Sequence, residues 1–516
     1  MNKQLFKFFF AMIALWSVSV QAQSKLGLQY INEERWWSAE KEFSKSTADE
    51  DVFYKGFCQM KLEDVEKAKA TFNSIATKPF GKIGLGMLEM NAGNLEGAKK
   101  LFETAADETK NKNPQVFLAI ANAISNSTAN QKDEAAEWAK KAVDMQKTNS
   151  DFRIVSGDVY QNIQDGGNAI REFEYAQQYA PASALPLAKL GQVYFRSRVF
   201  KLAKENLLKA LEKDPKNILA LNYLAQIYYK TQQYDTAKMY QAKVLEYGDK
   251  SPEDMAYMAN IYFYEKDYNG AINLISEIIK GDNKYNYLNR LIGYSYQETG
   301  KPAEAIEFLE KFLQTQPKEK IIASDYEYLG KAYMSIGDTN KGVETLKKSV
   351  EMNPNDKEMI KNTADLMKKI KRYEDALTYY KKITEMPEPS VGDFLNVGNM
   401  YFYYLRDYPS ADAAYTKVLE LSPNQVDVYY NKAKIKLIAD PTQASASAKE
   451  DFLKYIEMTV GKEDKYKKKI VEAKLYMAKI SITNDSDKVK AKQYIDEVLV
   501  LDPENAEANS LIEHTK

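Results

Sequence analysis

The chain has 516 residues, 44% of them hydrophobic and 28% charged, a composition of folded rather than disordered protein. Its 72 basic and 73 acidic residues leave a net charge of −1, so no global positive field exists to hold a phosphate backbone, and nucleic acid is not an expected partner. One histidine, His514, and one cysteine, Cys58, exclude a His/Cys zinc site and an intrachain disulfide, and leave no well-placed histidine for a Ser-His-Asp or Cys-His device. Carboxylate chemistry stays open because acidic residues are plentiful, but no catalytic residue, metal ligand or cofactor is singled out.

Residues 1–22, MNKQLFKFFFAMIALWSVSVQA, have the organisation of a secretory signal. Lys3 and Lys7 give a positive start, Phe8 to Val20 form an apolar core, and small residues lead to a cleavage point after Ala22. The apolar run is short for a membrane span, so a retained anchor is the lesser alternative. No cysteine follows it, which excludes a lipid anchor there. The expected location is periplasmic, or secreted, with no stable membrane span left after cleavage. Cys58, in the helical stretch Tyr54–Cys58, is expected to be a small core residue.

Downstream the sequence repeats itself. Gly157, Gly191, Ala225, Ala259 and Gly293 stand 34 apart, and Ala169, Ala203, Ala237, Ala271 and Ala305 follow each by twelve. Pro181, Pro215 and Pro317 come twelve later again. Glycine inside a helix costs about 1 kcal/mol relative to alanine. Its recurrence predicts paired helices that approach closely at small side chains, with the first helix's glycine or alanine facing the second's alanine. Leu190, Tyr194, Leu207 and Ala210 are the expected gap fillers in one such pair. Gly93, Gly300 and Gly337 fall between paired helices, where a left-handed cap is needed. Each proline stops the second helix and opens the next pair.

This pattern resembles the tetratricopeptide repeat, a 34-residue helix–turn–helix with small residues at positions 8 and 20, Tyr near 11, an aromatic or Leu near 24, Ala near 27 and Pro near 32. Within 184–217 these are Gly191, Ala203, Tyr194, Leu207, Ala210 and Pro215. The frame also fits Gly27/Tyr30/Ala39/Phe43, Gly56/Ala68/Phe72, Gly86/Ala98/Phe102, Gly157/Tyr160/Ala169/Phe173, Gly330/Tyr333/Gly342/Leu346 and Ala364/Ala376/Tyr380. Gly398/Tyr401/Ala411/Tyr415 and Ala478/Ala491/Ile495 carry one extra residue each. The resemblance implies an all-α, TPR-type α-solenoid, a right-handed superhelix of about fourteen helix–turn–helix repeats. The expected organisation is a signal peptide over 1–22, less regular repeats over 23–149, a regular array over 150–425, longer repeats over 426–504 and a polar capping helix or tail over 505–516. Two departures, SNSTANQKDE between Ala121 and Ala135 and ADPTQASASAKED after residue 438, are expected to be loops or lengthened helix ends.

In the family, positions 2, 5, 9, 12 and 13 of the first helix line the concave face. Carried over where the frame is regular, they give Phe195, Arg196, Asn222, Gln226, Tyr229, Lys230, Asn260, Phe263, Tyr264, Arg290 and Tyr294 as partner-binding candidates. Asn and Gln suit an extended backbone, tyrosine gives apolar area with a polar tip, and arginine gives a fork for carboxylates. The ordinary alternative is packing within the repeat, which is expected of Tyr194, Tyr228 and Tyr262. The family's Lys–Asn clamp for a terminal carboxylate is absent: Asn222 pairs with Gln226, and Lys361 is followed by Asp365. Lys465–Lys469 is read as a solvated helix face, and GLGMLEMNAG lacks the lysine of a phosphate loop. The expected function is a non-enzymatic protein–protein interaction scaffold or adaptor of the cell envelope. Alternatives are a structural subunit of an envelope secretion or assembly complex that binds through its convex face or end repeats and, remotely, a glycan-binding protein or carboxylate-based glycan enzyme.

Overall fold

Pairs of short helices joined by tight turns follow one another along the whole computed structural model, which describes residues 25–127, 129, 131–280, 283–440 and 446–515. Every regular element among the described residues is helical. The expected signal segment over 1–22 and its cleavage point lie outside them, as do residues 128, 130 and 441–445 of the two expected loops.

The pairing follows from the small residues. Leu185–Arg196 packs on Phe200–Lys213, and Ile218–Lys230 on Tyr234–Tyr247. Ala203, Ala225 and Ala237 are fully buried, as are Leu207 and Ala210. One detail differs from expectation. The glycine's missing side chain makes room less for the facing alanine than for the large residue sixteen positions on. A Cβ at Gly157 would overlap the Phe173 ring, and one at Gly191 the Leu207 side chain, with Ala203 O only 3.2 Å away. At Gly86 the obstacle is Phe102 at 2.5 Å, and at Gly398 it is Tyr415 at 2.7 Å. Cys58 is buried in the N-terminal core, where burial pushes its thiol well above the ordinary range.

The turns repeat as closely as the cores. Gly93, Gly300 and Gly337 have φ of +85°, +72° and +85°, the left-handed conformation that glycine adopts without a Cβ penalty. Elsewhere the same turn position is held by Glu34, Glu63, Gln164, Arg198, Gln232, Lys266 and Lys371, with φ between +59° and +65°. The side chains of Asp64, Asn94, Asp165, Asp267, Asp338 and Asp407 then cap the second helix by accepting from the amide three residues on.

The extra residue between Gly398 and Ala411 is absorbed by a π-helical turn, Met400–Leu405, which ends on a left-handed Arg406 (φ +57°). Asp407 N donates to Tyr401 O at 3.1 Å, and the Tyr415 hydroxyl, against Gly398, donates to Asn399 Oδ1 (2.9 Å) and accepts from Asn431 (3.0 Å). The pair therefore keeps its glycine–aromatic contact. The last helix, Ala506–Ile512, is capped by Asn505 and buries Ala508.

The chain divides into two compact units, residues 1–301 and 302–516. All eleven partner-binding candidates belong to the first.

Gly157→Ala is expected to cost about 1–3 kcal/mol of repacking around Phe173, more than the ~1 kcal/mol of helix propensity alanine restores. The melting midpoint falls, and Phe173→Leu in the same chain recovers part of it. Lys371→Gly removes the steric cost of a left-handed non-glycine residue, about 1 kcal/mol. It raises the melting midpoint, whereas Gly337→Ala lowers it.

Candidate binding surface

In the N-terminal unit the inward ends of the first helices surround a cavity of about 690 Å³. Its wall carries the positions expected to line the concave face, mostly in repeats before the one that holds Arg196. Position 13 contributes Asn32, Lys61, Asn126, Asn162 and Arg196. Position 9 contributes Asn122, Asp158 and Gln192, and position 2 contributes Glu50, Gln115 and Asp151. The residue type changes from repeat to repeat while the direction is kept, because a 34-residue period returns each position to the same place on its helix.

These side chains form a polar ladder across successive pairs. Lys61 Nζ donates to Asn126 Oδ1, and Asn126 Nδ2 donates to Asn122 Oδ1 at 2.7 Å. Lys189, almost fully buried, pairs with Asp158 at 2.9 Å. Turned so that its carbonyl oxygen faces Arg196, the Gln161 amide accepts from Nε and NH1 at 3.1 and 3.2 Å and donates to Gln192 Oε1 at 3.3 Å. Gln192, a residue 1% exposed, donates through its amide nitrogen to both the Tyr223 hydroxyl and Glu34 Oε1, each at 2.8 Å. Burial, with the Glu34 charge nearby, pushes the Tyr223 hydroxyl up to about 12. Burial also holds the Lys61 ammonium below its usual range, although Glu34 opposes the shift. At Asp158 burial raises the carboxyl and Lys189 opposes the rise. Glu50 is pushed up to about 7 by burial first and then by Asp51 and Asp49.

The listed candidates separate into groups. Arg196 lines the cavity. Asn222 accepts from Gln226 Nε2 at 2.9 Å and lines a smaller adjoining pocket of about 290 Å³ with Arg35, Trp37 and Asp249. Asn260 is engaged within its own helix, Nδ2 donating to Ala256 O at 2.8 Å. Tyr229, Phe263, Tyr264 and Tyr294 join an aromatic cluster with Tyr234, Tyr257 and Tyr268. Tyr229 meets Tyr257 at 5.3 Å and Tyr264 at 5.6 Å, Tyr264 stacks on Tyr234 at 5.4 Å, and Phe263 meets Tyr294 at 6.2 Å. Tyr294 is buried, whereas Tyr264 is 51% exposed. Phe195 packs edge-on to Tyr223 at 5.0 Å, with Lys230 Nζ 6.0 Å from its ring centre. Arg290 is half-buried in the helix Asn289–Glu298. Of the residues expected to pack within the repeat, Tyr228 stacks on Tyr240 at 5.6 Å. Lys361 pairs with Asp365 at 2.8 Å, and Lys469 with Asp427 at 2.6 Å.

Sequence reasoning missed Glu33, Glu34 and Asp249. Glu34 and Asp249 join stretches 158 and 214 residues apart, and no spacing rule announces such contacts. Asp158, Gln161 and Gln192 carried a signal, since they occupy positions 9 and 12 of repeats whose frame was already fixed by Gly157 and Gly191.

Tandem pairs of helices, each burying its apolar face on the next, define an all-α helical-repeat protein. Family models described as tetratricopeptide repeats match three stretches of the chain, residues 206–239, 291–319 and 326–356. Among solved structures, the chain is similar to the C-terminal part of a TPR repeat-containing protein from Cytophaga hutchinsonii, with 27% identity over 49% of this chain and 98% of that one, at a TM-score of 0.41. A tetratricopeptide repeat protein from Parabacteroides merdae is similar at 16% identity over 52% of this chain and 99% of that one, with a TM-score of 0.30. A comparison with curated proteins finds no match. Among the described residues no helix is long and apolar enough to cross a membrane, and no cluster of three or more His, Cys, Asp or Glu is placed to hold a metal ion.

The raised Glu50 carboxyl sets a pH dependence. The folded state keeps its proton to about pH 7, whereas the unfolded chain releases it near 4.3. Glu50's contribution therefore lowers stability as pH rises between those values and is constant above them. Glu50→Gln is expected to raise the melting midpoint at pH 8 and leave it nearly unchanged at pH 4; equal shifts at both would contradict the assignment.

Proposed function

We propose that the chain is a non-enzymatic scaffold of the cell envelope, exported by its N-terminal signal, which holds a protein or peptide partner on the inner face of its N-terminal unit. Tetratricopeptide repeats suit a protein-interaction scaffold, and the observation that carries the rest is the polar ladder around the cavity. It offers amides, guanidinium and ammonium groups at regular intervals along one face, the donors and acceptors an extended backbone needs. The aromatic cluster around Tyr229 and Tyr264 adds rigid apolar area next to it. Supporting the envelope location are Lys3, Lys7 and the apolar run ending at Val20.

A second reading, assembly through an end repeat, is favoured by Val489 and Val500. They are 84% and 80% exposed on the helix Lys488–Leu501 and flank a shallow groove containing Lys492, Gln493, Asp496 and Glu497.

Site-specific photo-crosslinking in cells separates the two. With the crosslinker at Gln161 or Tyr264, a discrete adduct is expected in the periplasmic fraction. The outward positions Glu174 and Lys209, both exposed on second helices, should give none. Adducts confined to 489 and 500 would transfer the function to the end repeat. A protein retained in the cytoplasm would end the envelope assignment.

A further inference from the structure

The first complete turn, like those before Lys132, Phe200, Tyr234 and Tyr373, lacks the side-chain cap that Asp or Asn supplies at others. Its second helix, Trp36–Phe43, begins after Arg35, which has no carboxylate or amide oxygen to offer the free amides. The missing acceptor comes from Asp249, 214 positions away in sequence from Arg35. One Asp249 oxygen accepts from the backbone amides of Trp37 (3.1 Å) and Ser38 (3.2 Å). The other accepts from Arg35 Nε (3.4 Å) and from the Ser38 hydroxyl. An anion supplied to a helix N-terminus from elsewhere is favourable for the reasons that favour a local cap. Asp249 thus completes a helix that its own sequence leaves unfinished.

The same turn presents Glu34 to the cavity. Glu34 has φ of +59°, a backbone state costly for a side-chain-bearing residue, and its carboxylate takes the 2.8 Å bond from Gln192 within the field of Lys61 and Arg196. A second tie, Lys284 to Glu63 at 2.8 Å, links neighbouring parts of the two stretches. Beyond its own backbone bonds and the Arg35 contact with Tyr30, the turn is held by the borrowed helix cap, the largely buried Arg35–Asp249 pair and the exposed Lys284–Glu63 pair, set against a left-handed residue. Such a balance is close enough for a ligand to shift.

We propose that the Glu33–Arg35 turn is a built-in occupant of the inner face, with Asp249 as its catch, and that a partner segment bearing a carboxylate displaces it by taking Glu34's place on Gln192, Arg196 and Lys61. This rests on the reading that the inner face holds a partner, and it names both the chemistry of that partner and the control over its entry. The chain's own acidic side chain marks the subsite. The lining also carries Asp158, Asp151 and Glu50, but Asp158 is already neutralised by Lys189. Arg196 and Lys61 are the cations that Glu34 leaves behind.

Two measurements on the purified full chain test this, neither needing the natural partner. In Asp249→Ala, the amides of Trp37 and Ser38 should exchange with deuterium at least tenfold faster than in the parent. Helices Pro79–Asn91 and Leu95–Glu108 should be unchanged, and Asp249→Asn, which keeps an acceptor, should fall between. The binding probe is a labelled peptide of residues 29–38, QYINEERWWS. Glu34→Gln combined with Asp249→Ala removes the resident carboxylate and its catch and should bind it at least tenfold more tightly than the parent. Changing the peptide's own Glu34 to Gln, or adding Arg196→Gln to the protein, should remove that gain. Unchanged exchange at 37–38 would overturn the catch, and peptide binding indifferent to either Glu34 or Arg196 would overturn the carboxylate subsite. Crosslinks at Gln161 from an unrelated partner would survive either failure, so the scaffold reading is judged separately.

Discussion

Everything in this molecule depends on how closely two short helices can approach within a pair. Where glycine stands at the contact, a phenylalanine, leucine or tyrosine from the facing helix fills the space a Cβ would take, and the pair closes over it. The same constraint fixes the turn, because helices this close can be joined only by a tight, left-handed connection. It fixes the direction of every other side chain too. The inner-face polar ladder is a by-product of the packing period, since side chains that return to one face at each repeat line up whether or not they are alike.

Much of this was legible in the sequence because it is periodic. The recurrence of Gly157, Gly191 and Ala225 sufficed to place helices, turns and core, and the glycines at 93, 300 and 337 located left-handed turns. What periodicity could not supply was the partner of each small residue. The expectation of glycine against alanine captured the closeness of the backbones but not the aromatic or leucine side chain that occupies the vacancy. The extra residue near Tyr401 was visible as an interruption, and its absorption by a π-helical turn follows from the need to keep Tyr415 over Gly398.

The site was legible in its rules more than in its members. Residues at positions 9, 12 and 13 of several early repeats line the cavity, yet most of the lining comes from repeats around Gly27, Gly56, Ala121 and Gly157 that were not carried forward. The tyrosines of the central repeats engage one another through rings contributed by the starts of second helices, such as Tyr234 and Tyr268. Contacts made by Glu34 and Asp249 obey no repeat at all. They are single interactions between distant stretches, of the kind that distinguishes one array from another built on the same frame.

The borrowed cap also orders events in time. Synthesis proceeds from the N-terminus, so the first hairpin emerges long before residue 249 exists to finish it. Neighbour-to-neighbour repeats can settle as they appear, since their contacts are local. The opening hairpin must wait through six more helix pairs. That hairpin is finished only when a residue more than two hundred positions later is in place, with three α-helices of its unit, Pro252–Tyr264, Tyr268–Ile279 and Asn289–Glu298, still to come.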